Sequence, residues 1–177
     1  PAPPAKLEPY QQLVDAAEKG DPNAQYKLGV KYLNGDEVER DDMLAGVLFQ
    51  IAASKGIADA QFALGKMHQD GTGMPQNYAE SLQHYRMAAE RGHVGAQFKL
   101  AEFYQHGEGD IPKNPEEAMR WHRLAADNGN SASRFALGCA YQAGVKIFPR
   151  KTKSPHPKPT QQRDKFSRSY REQTASS

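Results

Sequence analysis

A six-residue segment returns four times along this chain, as AQYKLG from Ala24, AQFALG from Ala60, AQFKLA from Ala96 and a looser SRFALG from Ser133, at intervals of 36, 36 and 37 residues. A period of that length marks a repeat architecture, in which a short supersecondary unit that cannot cover its own apolar side is stacked on copies of itself. The extra residue of the last interval falls in a connecting segment, where GTGMPQN from Gly71 becomes GEGDIPKN from Gly107.

Within each unit, small or apolar residues recur at Ala24, Leu28, Gly29 and Tyr32, at Ala60, Leu64, Gly65 and His68, and at Ala96, Leu100, Ala101 and Tyr104. That i, i+4, i+5, i+8 spacing is one face of a helix. Gly35, Gly71, Gly107 and Gly144 follow, where a left-handed helix stop favours glycine. A second helix is expected to start at Asp41, Asn77 or Asn114, whose short side chains can accept an orphan backbone N–H, with Pro115 in the tolerated first position. It repeats Ala45, Ser81 and Ala118, the pairs Leu48/Phe49, His84/Tyr85 and Trp121/His122, and the doublets Ala52/Ala53, Ala88/Ala89 and Ala125/Ala126, and it stops at Gly56, Gly92 or Gly129. Small residues at fixed helical positions let two helix axes approach closely.

The expected fold is all-α: a right-handed α-solenoid of about three and a half helix-turn-helix repeats with a disordered basic C-terminal tail. Its units are 21–56, 57–92, 93–129 and a partial 130–144. A half-repeat at 9–20, with Leu13, Ala16, Ala17 and Gly20 in second-helix register, caps the stack behind a 1–8 linker beginning PAPPA. The chain opens at Pro1 without Met, as a processed product or a fragment would.

Charge divides the chain. Residues 1–144 hold 14 Lys and Arg against 19 Asp and Glu, whereas 145–177 hold 9 against 2, together with four prolines and few aliphatics. Such a tail cannot support a packed helix. The fourth unit is thereby expected to lack its second helix, leaving an apolar face that points to self-association, to a missing continuation of the protein or to an altered reading frame. Cations with Phe148, Phe166 and Tyr170 could neutralise and stack on a nucleic acid, but a solvated linker or a contact with an acidic protein surface is the favoured reading, so nucleic acid is an unlikely partner.

Cys139 is the one cysteine, so no disulfide closes within the chain, and no Cys or His cluster has zinc-ligand spacing. No apolar run is long enough for a transmembrane segment. The histidines align with packing residues: His68 with Tyr32 and Tyr104, His84 with Leu48 and Trp121, His122 with Phe49 and Tyr85. His93 and His106 fall at helix ends or loops. No catalytic residue, metal, cofactor or small-molecule substrate is expected.

Read as A-x-x-x-L-G-x-x-Y-x-x-G followed by A-x-x-W-x-x-x-A-A-x-x-G, as in AQFKLAEFYQHG from Ala96 and AMRWHRLAADNG from Ala118, the chain resembles the Sel-one-like repeat (SLR) family, relatives of the tetratricopeptide repeats, over roughly residues 9 to 144. Departures are local: Ala101 stands for the usual Gly, His68 for the usual Tyr, and GDEVERD from Gly35 lacks the second loop glycine. In tetratricopeptide-like stacks the sector holding positions 26, 30 and 33 lines the concave surface. The resemblance therefore implies a partner-binding groove built from Tyr26, Val30, Leu33, Asn34, Phe62, Lys66, Gln69, Asp70, Phe98, Glu102, Gln105, His106 and Phe135. An aromatic in every unit, bordered by positions that vary in charge, fits recognition of a partner protein or extended peptide; it fits equally a ring that shields the neighbouring helix pair. The implied function is a non-catalytic scaffold or adaptor, with a bacterial periplasm or envelope favoured over the cytoplasm. The alternative by family analogy is a cell-wall or beta-lactam hydrolase, whose relatives use cysteine pairs that this chain lacks.

Overall fold

A computed structural model of the protein describes residues 7–143. Among these residues there are eight α-helices and no strand: α1 Leu7–Glu18, α2 Pro22–Asn34, α3 Asp42–Ser54, α4 Ala58–Asp70, α5 Tyr78–Glu90, α6 Val94–His106, α7 Pro115–Asp127 and α8 Ser131–Gln142. Each helix packs mainly on the one before it and the one after it. The pairs α2/α3, α4/α5 and α6/α7 are the three complete units of an all-α solenoid. Helix α1 begins at Leu7, so residues 7 and 8, expected in the extended linker, are helical. Pro9 is accommodated because it lies in the first turn, where a backbone N–H has no intrahelical acceptor. The expectations for Gly144 and for the tail at 145–177 lie outside the described residues.

Helix starts follow the local chemistry. Asp21 accepts from the Asn23 and Ala24 N–H groups, Asp41 from Leu44, Asn77 from Ala79 and Glu80, Asn114 from Glu117, and Asn130 from Ser133. Each such cap contributes about 1 kcal/mol.

The recurring hexapeptide is the clasp between and within units. Ala60 and Ala96 are fully buried, and the glutamine after each of Ala24, Ala60 and Ala96 donates to the last turn of the preceding helix. Gln25 Nε2 reaches Ala17 O at 3.1 Å, Gln61 Nε2 reaches Ala53 O at 3.4 Å and Gln97 Nε2 reaches Ala89 O at 3.1 Å. Each of those carbonyls also accepts from the N–H of the glycine three residues on, Gly20, Gly56 or Gly92, so the glutamine adds a second donor at the helix end. The other end of the amide is met by Arg91 Nη1, 3.4 Å from Gln61 Oε1, and by Asn128 Nδ2, 2.9 Å from Gln97 Oε1. In the first unit Lys55 occupies that row, and the buried Gln25 Oε1 has no partner among the described residues.

The glycine of the hexapeptide sets the distance between the two helices of a unit. A Cβ on Gly29 would stand 2.7 Å from Phe49 Cε1, and one on Gly65 2.6 Å from Tyr85 Cδ1. No side chain fits there while a six-membered ring lies opposite. The third unit departs at both positions together: Ala101 and the smaller imidazole of His122 face each other in register, both buried. The departure of Ala101 from the family pattern is thus compensated within its own unit.

The second loop glycine has a comparable use. Gly73, at φ 68°, would place a Cβ 2.5 Å from Asp42 O. Glu37, in the same register, adopts φ 65° without being glycine, and its carboxylate lies 2.8 Å from Lys31 Nζ.

Two expectations follow. Gly65→Ala alone should destabilise the protein by about 1–3 kcal/mol through overpacking. Combined with Tyr85→His, which reproduces the Ala101/His122 pair, the loss should be smaller than the sum of the two single losses by about 1 kcal/mol in a chemical-denaturation cycle. Lys55→Arg should raise the melting temperature by giving Gln25 Oε1 a donor, measured against Lys55→Met, which cannot donate.

Candidate functional site

Four rows of residues, one from each first helix, make up the face expected to meet a partner. The aromatic row turns largely inward. Tyr26 lies 5.7 Å from Phe49, Phe62 lies 5.5 Å from Tyr85, and Phe98 lies 6.0 Å from His122, centroid to centroid. Each ring covers the residue that presses on the hexapeptide glycine or alanine, so these aromatics are half-buried packing residues that expose only an edge. Burial raises the Tyr26 pKa, and the nearby Asp59 carboxylate adds to it. Phe135, in the same register on α8, is 74% exposed.

In the row expected to line the groove, Leu33 and Gln69 are half-buried, and Gln105 is exposed but bonded to its own unit. Val30 and Leu33 pack against the cluster around Phe49 and Leu64. Tyr85 Oη donates to Gln69 Oε1 at 2.8 Å, and Gln69 Nε2 donates to Glu108 Oε2 at 2.8 Å, tying the second unit to the loop of the third. Burial pushes the Tyr85 pKa up, which keeps its hydroxyl a donor. Gln105 Oε1 lies 2.9 Å from His122 Nε2. An amide oxygen only accepts, so that nitrogen carries the proton, and His122 Nδ1 accepts from Ser133 Oγ at 3.2 Å.

The remaining positions are open to solvent. Lys66, Asn34, Asp70 and His106 are exposed, and Glu102 is half-buried beside Lys99 at 2.9 Å. The most open part of this face is therefore Lys66, Gln105, Cys139 and Phe135 with the helix-end residues Asn34, Asp70 and His106, rather than the half-buried Tyr26, Phe62 and Phe98.

The repeated unit matches the Sel1 repeat model at residues 22–57, 58–93 and 94–130, more than half of the chain. The chain belongs to the Sel1 repeat family. No curated protein matches its sequence. Among solved structures it is similar to a Sel1 repeat protein from Oxalobacter formigenes, with 34% identity and TM-score 0.72 over 79% of this chain and 58% of that one. It is also similar to c5321, a protective antigen of uropathogenic Escherichia coli with an SLR fold, with 32% identity and TM-score 0.71 over 75% of this chain and 28% of that one. The chain thus matches 28% and 58% of the length of these two relatives.

Three features of these Sel1 repeats could not be seen in the pattern. Ser133 and His122 form a serine–histidine contact, but Ser133 is 0% and His122 3% exposed. Their hydrogen bonds join α6, α7 and α8 and leave no room for a substrate at the hydroxyl. His93 caps α6: its Nδ1 accepts from the Ala96 N–H at 3.0 Å, its Nε2 lies 3.3 Å from Asp59 Oδ1, and its ring stacks on Phe62 at 4.3 Å. His68 and His84 stack at 5.4 Å and 9°. Their Nδ1 atoms are buried without a partner among the described residues. Among those residues no three His, Cys, Asp or Glu come together as metal ligands, and no helix is long and apolar enough to cross a membrane.

The histidines make stability depend on pH in a definite direction. Burial is the leading cause that lowers the pKa of His84, His93 and His122 below the ordinary 6.5, against the opposing pull of Glu80, Asp59 and Glu102 respectively. The folded state therefore favours the neutral rings. Their contribution is complete above pH 6.5 and is lost as pH falls through the lowered folded values. Thermal melts between pH 7 and 5 should show a falling melting temperature. His93→Asn, which keeps a cap of the kind Asn77 and Asn130 provide, should make that fall shallower.

Proposed function

We propose that this chain is a non-catalytic scaffold that holds a partner protein or peptide along the free rows of its first helices. Sel1 repeat proteins generally mediate protein–protein interactions, and one contrast within this chain supports the same use. On a single helix, the positions that stack units repeat from unit to unit, as in Ala24/Ala60/Ala96 and Gln25/Gln61/Gln97. The less buried position between them changes from a half-buried Val30 to an exposed Lys66 to a half-buried Glu102. Packing needs the first set to be constant and places no demand on the second, which is where selectivity can be written. The half-exposed edges of Tyr26, Phe62 and Phe98 supply apolar area beside that row. The thirteen residues of the expected groove divide accordingly: the four rings, Val30, Leu33, Gln69 and Gln105 shape the surface, and Lys66, Asp70, Glu102, His106 and Asn34 meet the partner.

The test is a peptide library displayed on phage and panned on the full chain. Selected peptides should bind Lys66→Glu and Glu102→Lys variants about tenfold more weakly or worse, ~1.4 kcal/mol, while Gln83→Glu on the exposed side of α5 leaves them unchanged. Peptides indifferent to residues 66 and 102 but sensitive to residue 83 would refute the reading. Phe62→Ala is unsuitable, because the ring supports both Tyr85 and His93.

A further inference from the structure

The first and last described helices are complementary halves of one unit. Helix α8 is a first helix in register, with Ser133, Leu137, Gly138 and Tyr141 standing where α6 has Ala96, Leu100, Ala101 and Tyr104. Ser133 is buried against α7, but the other side of α8 is bare among the described residues. A Cβ on Gly138 would meet nothing within 4 Å, whereas at Gly29 and Gly65 it would strike a ring. Phe135 and Tyr141 are 74% and 64% exposed. Among the described residues, the slot that receives a second helix in the complete units is open.

Helix α1 is a second helix in register, with Pro9, Leu13 and Ala16 standing where α3 has Ala45, Phe49 and Ala52. Its Ala17 side closes on Ala24 and Leu28. Leu13 and Ala16 pack in part on that same cluster but stay half-buried, and Pro9 is exposed, where all three counterparts in α3 are completely enclosed. Residues 145–177 offer no substitute by pattern, since they hold four prolines and no alanine doublet. Charge permits the match, for α8 carries only Arg134 and α1 carries Glu8, Asp15 and Glu18 in its sequence.

We propose that the occupant of the α8 slot is α1 of a second copy of this chain, which lays Leu13 over Gly138 and Phe135 and completes a fourth unit between the two copies. The contact is heterologous, because each copy donates one end and receives at the other. It therefore propagates into head-to-tail chains instead of closing on a dimer. The inference concerns the ends of the stack and stands apart from the partner-binding face of the first helices.

Sedimentation velocity of the full chain, with a reductant present because Cys139 is exposed on α8, tests it. The protein should grow past the dimer as its concentration rises. Gly138→Leu fills the slot and should give a monomer whose melting temperature is unchanged or higher, since a helical glycine is replaced. Pro9→Lys, at an exposed position, should likewise give a folded monomer. An equimolar mixture of the two variants retains one intact end on each and should stop at a 1:1 dimer. A monomeric parent protein at all concentrations overturns the proposal. So does growth that survives either substitution, or a parent dimer lost only with Gly138→Leu, which would mean two α8 ends meeting. A melting temperature lowered by Gly138→Leu would show that the chain's own remaining residues fill the slot, and overturns it as well.

Discussion

The contact on which the molecule depends is an aromatic ring lying on a helical residue with no side chain. With Phe49 over Gly29 and Tyr85 over Gly65, the two helices of a unit sit closer than any Cβ would permit. Close approach brings the alanine doublets of one helix against the alanine and leucine of the next. It also leaves each unit with a second apolar side that only a neighbour can cover. The stack follows from that deficit, because a pair of short helices buries too little by itself to offset its conformational entropy. The paired change to Ala101 and His122 shows the same constraint from the other direction: where the ring shrinks, a methyl group becomes admissible.

The same contact divides the labour of the first helices. Once the ring of the second helix is committed to the glycine, its outer side needs cover, and Tyr26, Phe62 and Phe98 provide it. Its polar atom needs a partner, and Gln69 and Gln105 provide that. Residues that would look like binding anchors on an isolated helix are thus partly spent on architecture. Lys66, Asn34, Asp70 and His106 are left to solvent. Units are fastened to one another by a different device, the glutamine amide bonded to the final turn of the preceding helix, and in the second and third units the far end of that amide is held as well. His93 adds a titratable fastening between α4 and α6; at the equivalent position Asp21 and Asn130 cap their helices, and Ile57 provides no side-chain cap.

Much of this was legible in the chain itself. Helix order, loop positions and the caps at Asp41, Asn77 and Asn114 depend on residues within a few places of one another, and the period of 36 exposes them through repetition. The candidate site was legible only in outline. Sequence spacing places Phe62 and Lys66 on one sector of a helix, but their fates differ: Phe62 rests on Tyr85 and His93 whereas Lys66 stays in water. The partners that decide this lie 23 and 31 residues away, beyond any helical periodicity. A histidine at the start of α6 likewise carries no mark of capping, since the amide it accepts from and the carboxylate it faces belong to different helices.

What the amino-acid order determined alone is therefore the alternation of short helices and the necessity of stacking them, because hydrogen bonding within a helix, capping and the pattern of small residues are short-range matters. Tertiary structure alone decided which side chains remain free to meet another molecule. It also decided that, among the described residues, nothing lies over Gly138, while its counterparts Gly29 and Gly65 are each pressed by a ring. Exposure is set by what another helix covers, and a linear sequence does not record which faces are covered.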